Sequence, residues 1–283
     1  FKEAINSQIK GGIKTELKAK NFLPLEIDLP ELEDQIKVRD KINSISEKVT
    51  KLDEIDNLNE SYISKLRQRI LQDAVQGKLV QQDPQDEPAS ELLKKIKTEK
   101  DRLIKDGKIR KDKPLAPISD EEKPYGLPKG WEWTRLGDVL EKCEYGTSEK
   151  CSYFGDVPVF SMGNIQHGKV SYNSLKSLSK KSEELPRLYL KNKDLLFNRT
   201  NSYELVGKSG IFDGDNDKFS FASYLIRIRT KIIPYYLNYY LQTEIFRKTQ
   251  VEPEITQQTG QANFNGTKLK STLFPLSPLS EQK

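Results

Sequence analysis

The chain has 283 residues, 35% hydrophobic and 31% charged, with 12 Tyr and 11 Phe, so it is long enough for one large domain or two moderate ones and can bury a core. Its apolar runs are only a few residues long, which excludes a helical membrane span, and no apolar signal region opens it. Two cysteines, Cys143 and Cys151, and one histidine, His167, supply neither a zinc site nor a disulfide scaffold, and the expected compartment is a reducing cytoplasm. The net charge of +5 is unevenly spread: between Lys94 and Lys113 ten basic residues face four acids. Such a stripe is either an electrostatic footprint for nucleic acid or a solvated helix and linker.

In chain order, residues 1–28 read as the end of a β-containing unit, with Gly11-Gly12 and the extended Phe22-Leu23-Pro24-Leu25 run. The start at Phe1, with Met162 the only methionine, gives the expectation of a fragment. Next comes a long helix from about Glu31 to Gln76, within a segment 29–77. Leu32, Ile36, Ile42, Ile45, Val49, Leu52, Ile55, Leu58, Tyr62, Leu66, Ile70 and Ala74 keep one narrow apolar stripe, the seam of a coiled coil. Gly77 suits a left-handed C-terminal cap. A rod of roughly 70 Å cannot bury its seam on itself and needs a partner helix.

Segment 78–126 holds a basic helix from Pro88 to Gly107, with Leu92, Leu93, Ile96, Leu103 and Ile104 on one face. After it runs a linker rich in proline (Pro114, Pro117, Pro124 and, just beyond, Pro128). From 127 to 276 the fold class is α+β: mixed short strands and short helices with irregular loops. Strands are expected at Val157–Phe160, Leu195–Phe197, Ser209–Phe212 and Ser223–Arg229, the last half-buried with Tyr224, Ile226 and Ile228 on one face. A short helix follows over Pro234–Arg247.

An internal repeat orders these parts. Thr15-Glu16-Leu17-Lys18 is echoed by Thr267-Lys268-Leu269-Lys270. Phe22-Leu23-Pro24-Leu25 is echoed by Leu273-Phe274-Pro275-Leu276, and Leu32-Glu33-Asp34-Gln35 by Leu279-Ser280-Glu281-Gln282. The implied unit is an α+β domain followed by a long helix, so residues 277–283 are expected to begin a second such helix.

No catalytic centre emerges. Gly207-Lys208-Ser209 ends like a phosphate-binding loop, but position 202 is serine where the pattern needs glycine. There is no Pro-Pro for a base-amine methyltransferase loop, and Glu121-Glu122-Lys123 has nuclease-like spacing only inside the linker. Metal and cofactor residues are therefore expected to be absent from this chain. Recognition chemistry is better represented. Asn198-Arg199-Thr200-Asn201-Ser202 follows an apolar strand and is expected to project from its end, where arginine can meet guanine and asparagine adenine. Lys208, Tyr145, Thr147, Gln257 and Gln261 stand in further polar loops suited to phosphate or base contacts. Ordinary turn chemistry would place the same residue types there.

Three strings together, Ile70-Leu71-Gln72-Asp73-Ala74-Val75-Gln76-Gly77-Lys78-Leu79-Val80, Asp86-Glu87-Pro88-Ala89-Ser90-Glu91-Leu92-Leu93 and Leu127-Pro128-Lys129-Gly130-Trp131-Glu132-Trp133, resemble the specificity subunits of type I restriction–modification enzymes. Leu136-Gly137-Asp138 continues the likeness. Pro30–Gln35 and Pro275–Gln282 are similar to that family's junctions from recognition domain to helix, and Asn198–Lys208 to a recognition-domain loop. The resemblance implies two DNA-reading target recognition domains joined by two antiparallel conserved helices, each domain reading half of a split target in double-stranded DNA. It implies a non-catalytic subunit whose methyltransferase (modification) and restriction/translocase partners carry S-adenosylmethionine, ATP and Mg. On this reading residues 1–28 end the first domain, 127–276 form the second, and most of the first domain and the second helix are missing. Two other readings remain open: a coiled-coil protein-interaction scaffold, and a solitary methyltransferase fragment.

Overall fold

The computed structural model describes residues 30–283 except Arg110, Asp112, Thr259 and Gly260, and of Gln257 and Gln258 only the backbone. The expected domain end at 1–28 and the two repeat strings within it lie outside the described residues. The chain divides into two units at Ile63/Ser64.

Helix α1, Leu32–Val75, runs 44 residues without proline or glycine. Its apolar stripe is exposed from Leu32 to Ile70, between 41% at Ile36 and 70% at Leu32, and only Ala74 at its end is half-buried. The helix ends where the sequence indicates. Gly77 takes φ +67°, its amide donates to the Ala74 carbonyl (3.0 Å) and the Lys78 amide to that of Asp73 (2.9 Å). This Schellman closure satisfies carbonyls that the last turn would leave unpaired. Helix α2, Ala89–Lys105, closes the same way at Gly107, φ +71°, with Gly107 donating to Ile104 and Lys108 to Leu103.

α2 is a packed element. Ala89 and Ile96 are buried in the main core, with Leu92 and Leu93 against it. The Lys100 ammonium donates to the Gly137 and Asp138 carbonyls, both at 2.8 Å, and Glu99 pairs with Lys231 at 2.9 Å. Lys94 and Lys95 pair with Glu91 and Glu87. Lys94, Lys95 and Lys100 of the basic stripe are thus engaged in local pairs and anchoring. The proline-rich stretch is also held down. Arg135 donates to the Ala116 and Pro117 carbonyls (3.1 Å each) and pairs with Glu122 (2.7 Å). It runs as a strap along the domain where a free linker was expected.

The remaining elements, in order, are β1 (Glu132–Arg135), α3 (Leu136–Val139), β2 (Leu140–Tyr145), β3 (Val157–Phe160), β4 (Ile165–Gln166), β5 (Gly168–Val170) and β6 (Lys176–Leu178). Then come α4 (Leu185–Leu188), β7 (Leu195–Asn198), β8 (Thr200–Asn201), β9 (Ser209–Ile211), β10 (Ser220–Phe221), β11 (Leu225–Thr230), α5 (Pro234–Leu241) and α6 (Glu244–Phe246). β12 (Thr256–Gln258), β13 (Gln261–Asn263), α7 (Gly266–Ser271) and β14 (Leu273–Leu276) complete the chain. The α+β class stands.

A six-stranded sheet, β2-β11-β7-β9-β5-β4, is antiparallel except between β9 and β5. Three smaller sheets surround it: β1-β14, β10-β3-β6 and β12-β13-β8. Alternate side chains of the central strands serve two cores. Leu195, Phe197, Ile226 and Ile228 join Val75, α2 and α5, whereas Leu196 and Leu225 join Phe160, Phe212 and Phe221.

β11 therefore corrects the half-buried expectation. Both its faces are covered, and Arg227 is only 1% exposed. Arg227 can stay there because its guanidinium pairs with the Glu144 carboxylate and donates to the Tyr189 (2.7 Å) and Arg187 (3.0 Å) carbonyls. Breaking such a buried pair costs about 3–5 kcal/mol. Tyr224 lies outside the strand and is exposed, because a turn bonds Leu225 N–H to Ala222 O (2.9 Å).

The expected helix Pro234–Arg247 is interrupted. Thr243 adopts extended backbone and caps a new turn, its hydroxyl accepting from the Phe246 amide. At the end of the chain, residues 277–283 fold back as turns. The Gln282 side chain donates to Ser277 O (3.0 Å) and accepts from the Ile233 amide (3.1 Å), so the helix expected to begin here is not formed in these residues.

Candidate nucleic-acid interface

The sheet ends bring part of the anticipated recognition set together. β7 stops at Asn198, and Arg199 lies between it and β8. β8 then pairs with β13, Asn201 opposite Ala262 and Thr200 opposite Asn263, while β13 pairs with β12. The Phe264 amide donates to Arg199 O (2.8 Å) and the Thr200 hydroxyl to Asn263 Oδ1 (2.7 Å). The loop after β7 and the 256–263 hairpin are consequently one surface.

On that surface Arg199 is half-buried and Tyr145, at the end of β2, is 42% exposed. The Arg199 guanidinium stacks over the Tyr145 ring at 4.8 Å from its centroid. The ring is fixed at its far end, where the hydroxyl accepts from the Gly266 amide (2.8 Å). Gln261 is exposed on β13, next to the Ala262 that faces Asn201. Asn201 is half-buried, its Oδ1 accepting from the Ser202 amide (2.8 Å). Gln257 sits opposite Ala262 on the hairpin; its side chain lies outside the described residues.

Two candidates are misplaced for contact with a ligand. Asn198 is 1% exposed: it is the last ladder residue of β7, its amide donating to Lys208 O and its carbonyl accepting from Gly207 N, both at 2.8 Å. Thr147 is 2% exposed. Its backbone is bonded to Phe221 and Ser223, its hydroxyl donates to the Glu184 carboxylate, and it accepts from the Glu149 amide. Both are framework, and neither projects as expected.

Lys208 is exposed but stands elsewhere, on a cleft of about 610 Å³ also lined by Arg67, Gln68, His167, Gln242 and Arg247. Glu204 on its rim is held below the usual carboxylate range by hydrogen bonds from its own backbone and from Ser202. The phosphate-loop reading fails here on geometry. The Gly207 and Lys208 amides donate to Asn198 O and Leu205 O, and Ser209 is in the β7–β9 ladder, so these amides do not converge on an anion. Among the described residues no group of three or more His, Cys, Asp or Glu side chains is placed to hold a metal ion. Among the described residues Cys143 and Cys151 form no disulfide, and no described helix is long and apolar enough to cross a membrane.

Sequence reasoning missed Tyr224, whose carbonyl accepts from the Arg199 amide (3.0 Å). Phe154, 96% exposed in a turn held by the Ser152 hydroxyl, is an exposed aromatic outside that set. An aromatic pair flanked by Ser152 and Gly155 was the available signal.

The arrangement offers a guanidinium fork and amide side chains at a sheet end. Residues 128–283 match the family model described as type I restriction modification DNA specificity domain. The chain is 36% identical over 234 residues to the type I restriction enzyme EcoAI specificity subunit of Escherichia coli, covering 79% of this chain and 38% of that protein. It is 34% identical over 236 residues to the EcoEI specificity subunit of the same species, covering 79% and 39%. It therefore spans less than two fifths of the length of these relatives. A solved structure concerned with complex assembly and conformational transition of the type I R-M system shares the fold, with TM-score 0.54 and 17% identity over 99% of this chain and 58% of that one. The chain belongs to the type I restriction modification DNA specificity domain family.

Proposed function

We propose that this chain is a DNA sequence-reading part of a type I restriction–modification complex, directing methylation and restriction to a bipartite target. The observation that carries the reading is the surface built from Arg199, Tyr145, Asn201 and Gln261 inside the segment that matches the family model. Arg199 supplies the base-edge contact, since a guanidinium end can bond guanine O6 and N7 together. Asn201, Gln257 and Gln261 stand on the paired strands β8, β12 and β13 that follow it, and Lys208 contacts phosphate from the separate cleft. The chain itself performs no chemistry. Modification and restriction/translocase subunits are its partners in the cytoplasm and hold S-adenosylmethionine, ATP and Mg. Helix α1 sets the distance between the two half-sites.

The test is Arg199→Ala in the complex reconstituted with its modification subunits, read by mapping methylated sites. Discrimination should fall by about 1–3 kcal/mol at one base pair, and unchanged methylation specificity would remove Arg199 from the interface. A protein-binding scaffold would lack the steep fall of DNA affinity with salt that phosphate contacts impose.

A further inference from the structure

Arg199 is restrained to an unusual degree for a side chain at a loop. Its amide donates to Tyr224 O (3.0 Å) and its carbonyl accepts from Phe264 N (2.8 Å). Nη1 donates to Ser223 O at 3.3 Å, and Nε is buried without a hydrogen-bond partner. The face of the guanidinium lies on Tyr145. Tyr145 in turn cannot shift easily. Its hydroxyl is tied to the Gly266 amide. Beside it the backbone at Gly146 runs so close to Phe221 that a Cβ there would lie 2.2 Å from the Phe221 carbonyl oxygen.

These contacts leave Nη2 and the second hydrogen of Nη1 as donors, the pair that an end-on guanidinium offers to guanine O6 and N7. A partly dehydrated guanidinium with one weak carbonyl contact keeps that orientation only while a surface supports it. The ring supplies that surface: a cation–π contact at an exposed site is worth a factor of roughly two to five.

We propose that Tyr145 is a positioning residue for base reading, its ring holding the Arg199 guanidinium edge-on to the DNA while Tyr145 itself touches no base. This rests on the reading that Arg199 contacts a base edge.

The experiment selects from a randomised duplex library with the complex reconstituted from full-length subunits, followed by sequencing. Unmodified protein is compared with Arg199→Ala, Tyr145→Phe, Tyr145→Leu, Tyr145→Met and the double variant Tyr145→Leu/Arg199→Ala. Arg199→Ala should erase preference at one base pair by roughly five- to a hundredfold. Tyr145→Leu and Tyr145→Met should weaken preference at that same base pair by about two- to fivefold, leaving other positions alone. Tyr145→Phe should retain it, and the double variant should match Arg199→Ala. Loss of preference in Tyr145→Phe, an equal weakening across all sequences, or additivity in the double variant would each overturn the positioning role while base reading stood. No change at any position in Arg199→Ala would overturn base reading itself, and the proposal with it. Tyr145→Phe preserves the packed ring, so its result decides between ring and hydroxyl even where the truncated variants fold poorly.

Discussion

The two Schellman glycines make a controlled pair. Gly77 and Gly107 have nearly the same left-handed backbone, φ +67° and +71°, and the same hydrogen-bond closure. They differ in surroundings. A Cβ at Gly107 would meet nothing within 4 Å, whereas one at Gly77 would lie 2.6 Å from Pro128 Cγ and 3.1 Å from the Trp131 ring. Gly107→Ala should cost roughly 1 kcal/mol, the left-handed penalty of about 1–2 kcal/mol less the lower entropy of the unfolded alanine chain. Gly77→Ala carries the same penalty plus overpacking of about 1–3 kcal/mol, since a proline ring and an indole cannot swing aside as a lysine would. Its total should be about 2–4 kcal/mol. Urea denaturation followed by tryptophan fluorescence suits the measurement, because Trp131 and Trp133 both lie in the second unit. The midpoint should fall with the slope unchanged. Equal losses for the two variants would refute the argument that Pro128 and Trp131 close on the end of α1.

Glu281 gives a pH-dependent prediction. Burial raises its pKa above the ordinary 4.5, against the opposing hydrogen bond from the Trp131 indole. The folded state thus favours the protonated form, and stability declines as pH rises from 4.5 through the raised value and stays lower above it. Glu281→Gln keeps an acceptor for Trp131 without the charge, so it should be the more stable protein at pH 7, with the advantage vanishing below the ordinary value. Melting curves between pH 4 and pH 8 check this, and a less stable variant at pH 7 would contradict it. Helix α1 offers a further measurement. Four residues inserted near Asn57 add about 6 Å to the helix, and mapped methylation sites should then show a longer spacer between half-sites. An unaltered spacer would end the idea that α1 sets that distance.

Sequence pattern located elements well where the cause was local. α1 is defined by an uninterrupted stripe and by Gly77, and β3, β7 and β9 by short apolar runs between turn residues. The misreadings share a cause: a partner distant in sequence. Arg227 made β11 look half-exposed because nothing nearby announces Glu144, 83 residues away. Thr243 cuts the expected Pro234–Arg247 helix because its hydroxyl competes for a backbone amide, an option that a stripe count does not register. Arg135 turns a proline-rich linker into a strap through carbonyls that carry no sequence signature. Within the site the same limit applies. Asn198 and Arg199 are adjacent and equally suited to base contacts by type, yet one closes a ladder and the other meets Tyr145. Residue chemistry nominated both, and only the strand ends separate them.

The pairing of β8 with β13 has an evolutionary consequence. The backbone of the Arg199 loop is hydrogen-bonded to the 256–263 hairpin, so a change in the length or register of either segment would leave amides and carbonyls of the other unmatched. Replacement of outward side chains such as Gln261 leaves that backbone pairing unchanged. A segment exchanged as one block from 198 to 264 would carry both sides of the β8–β13 ladder with it.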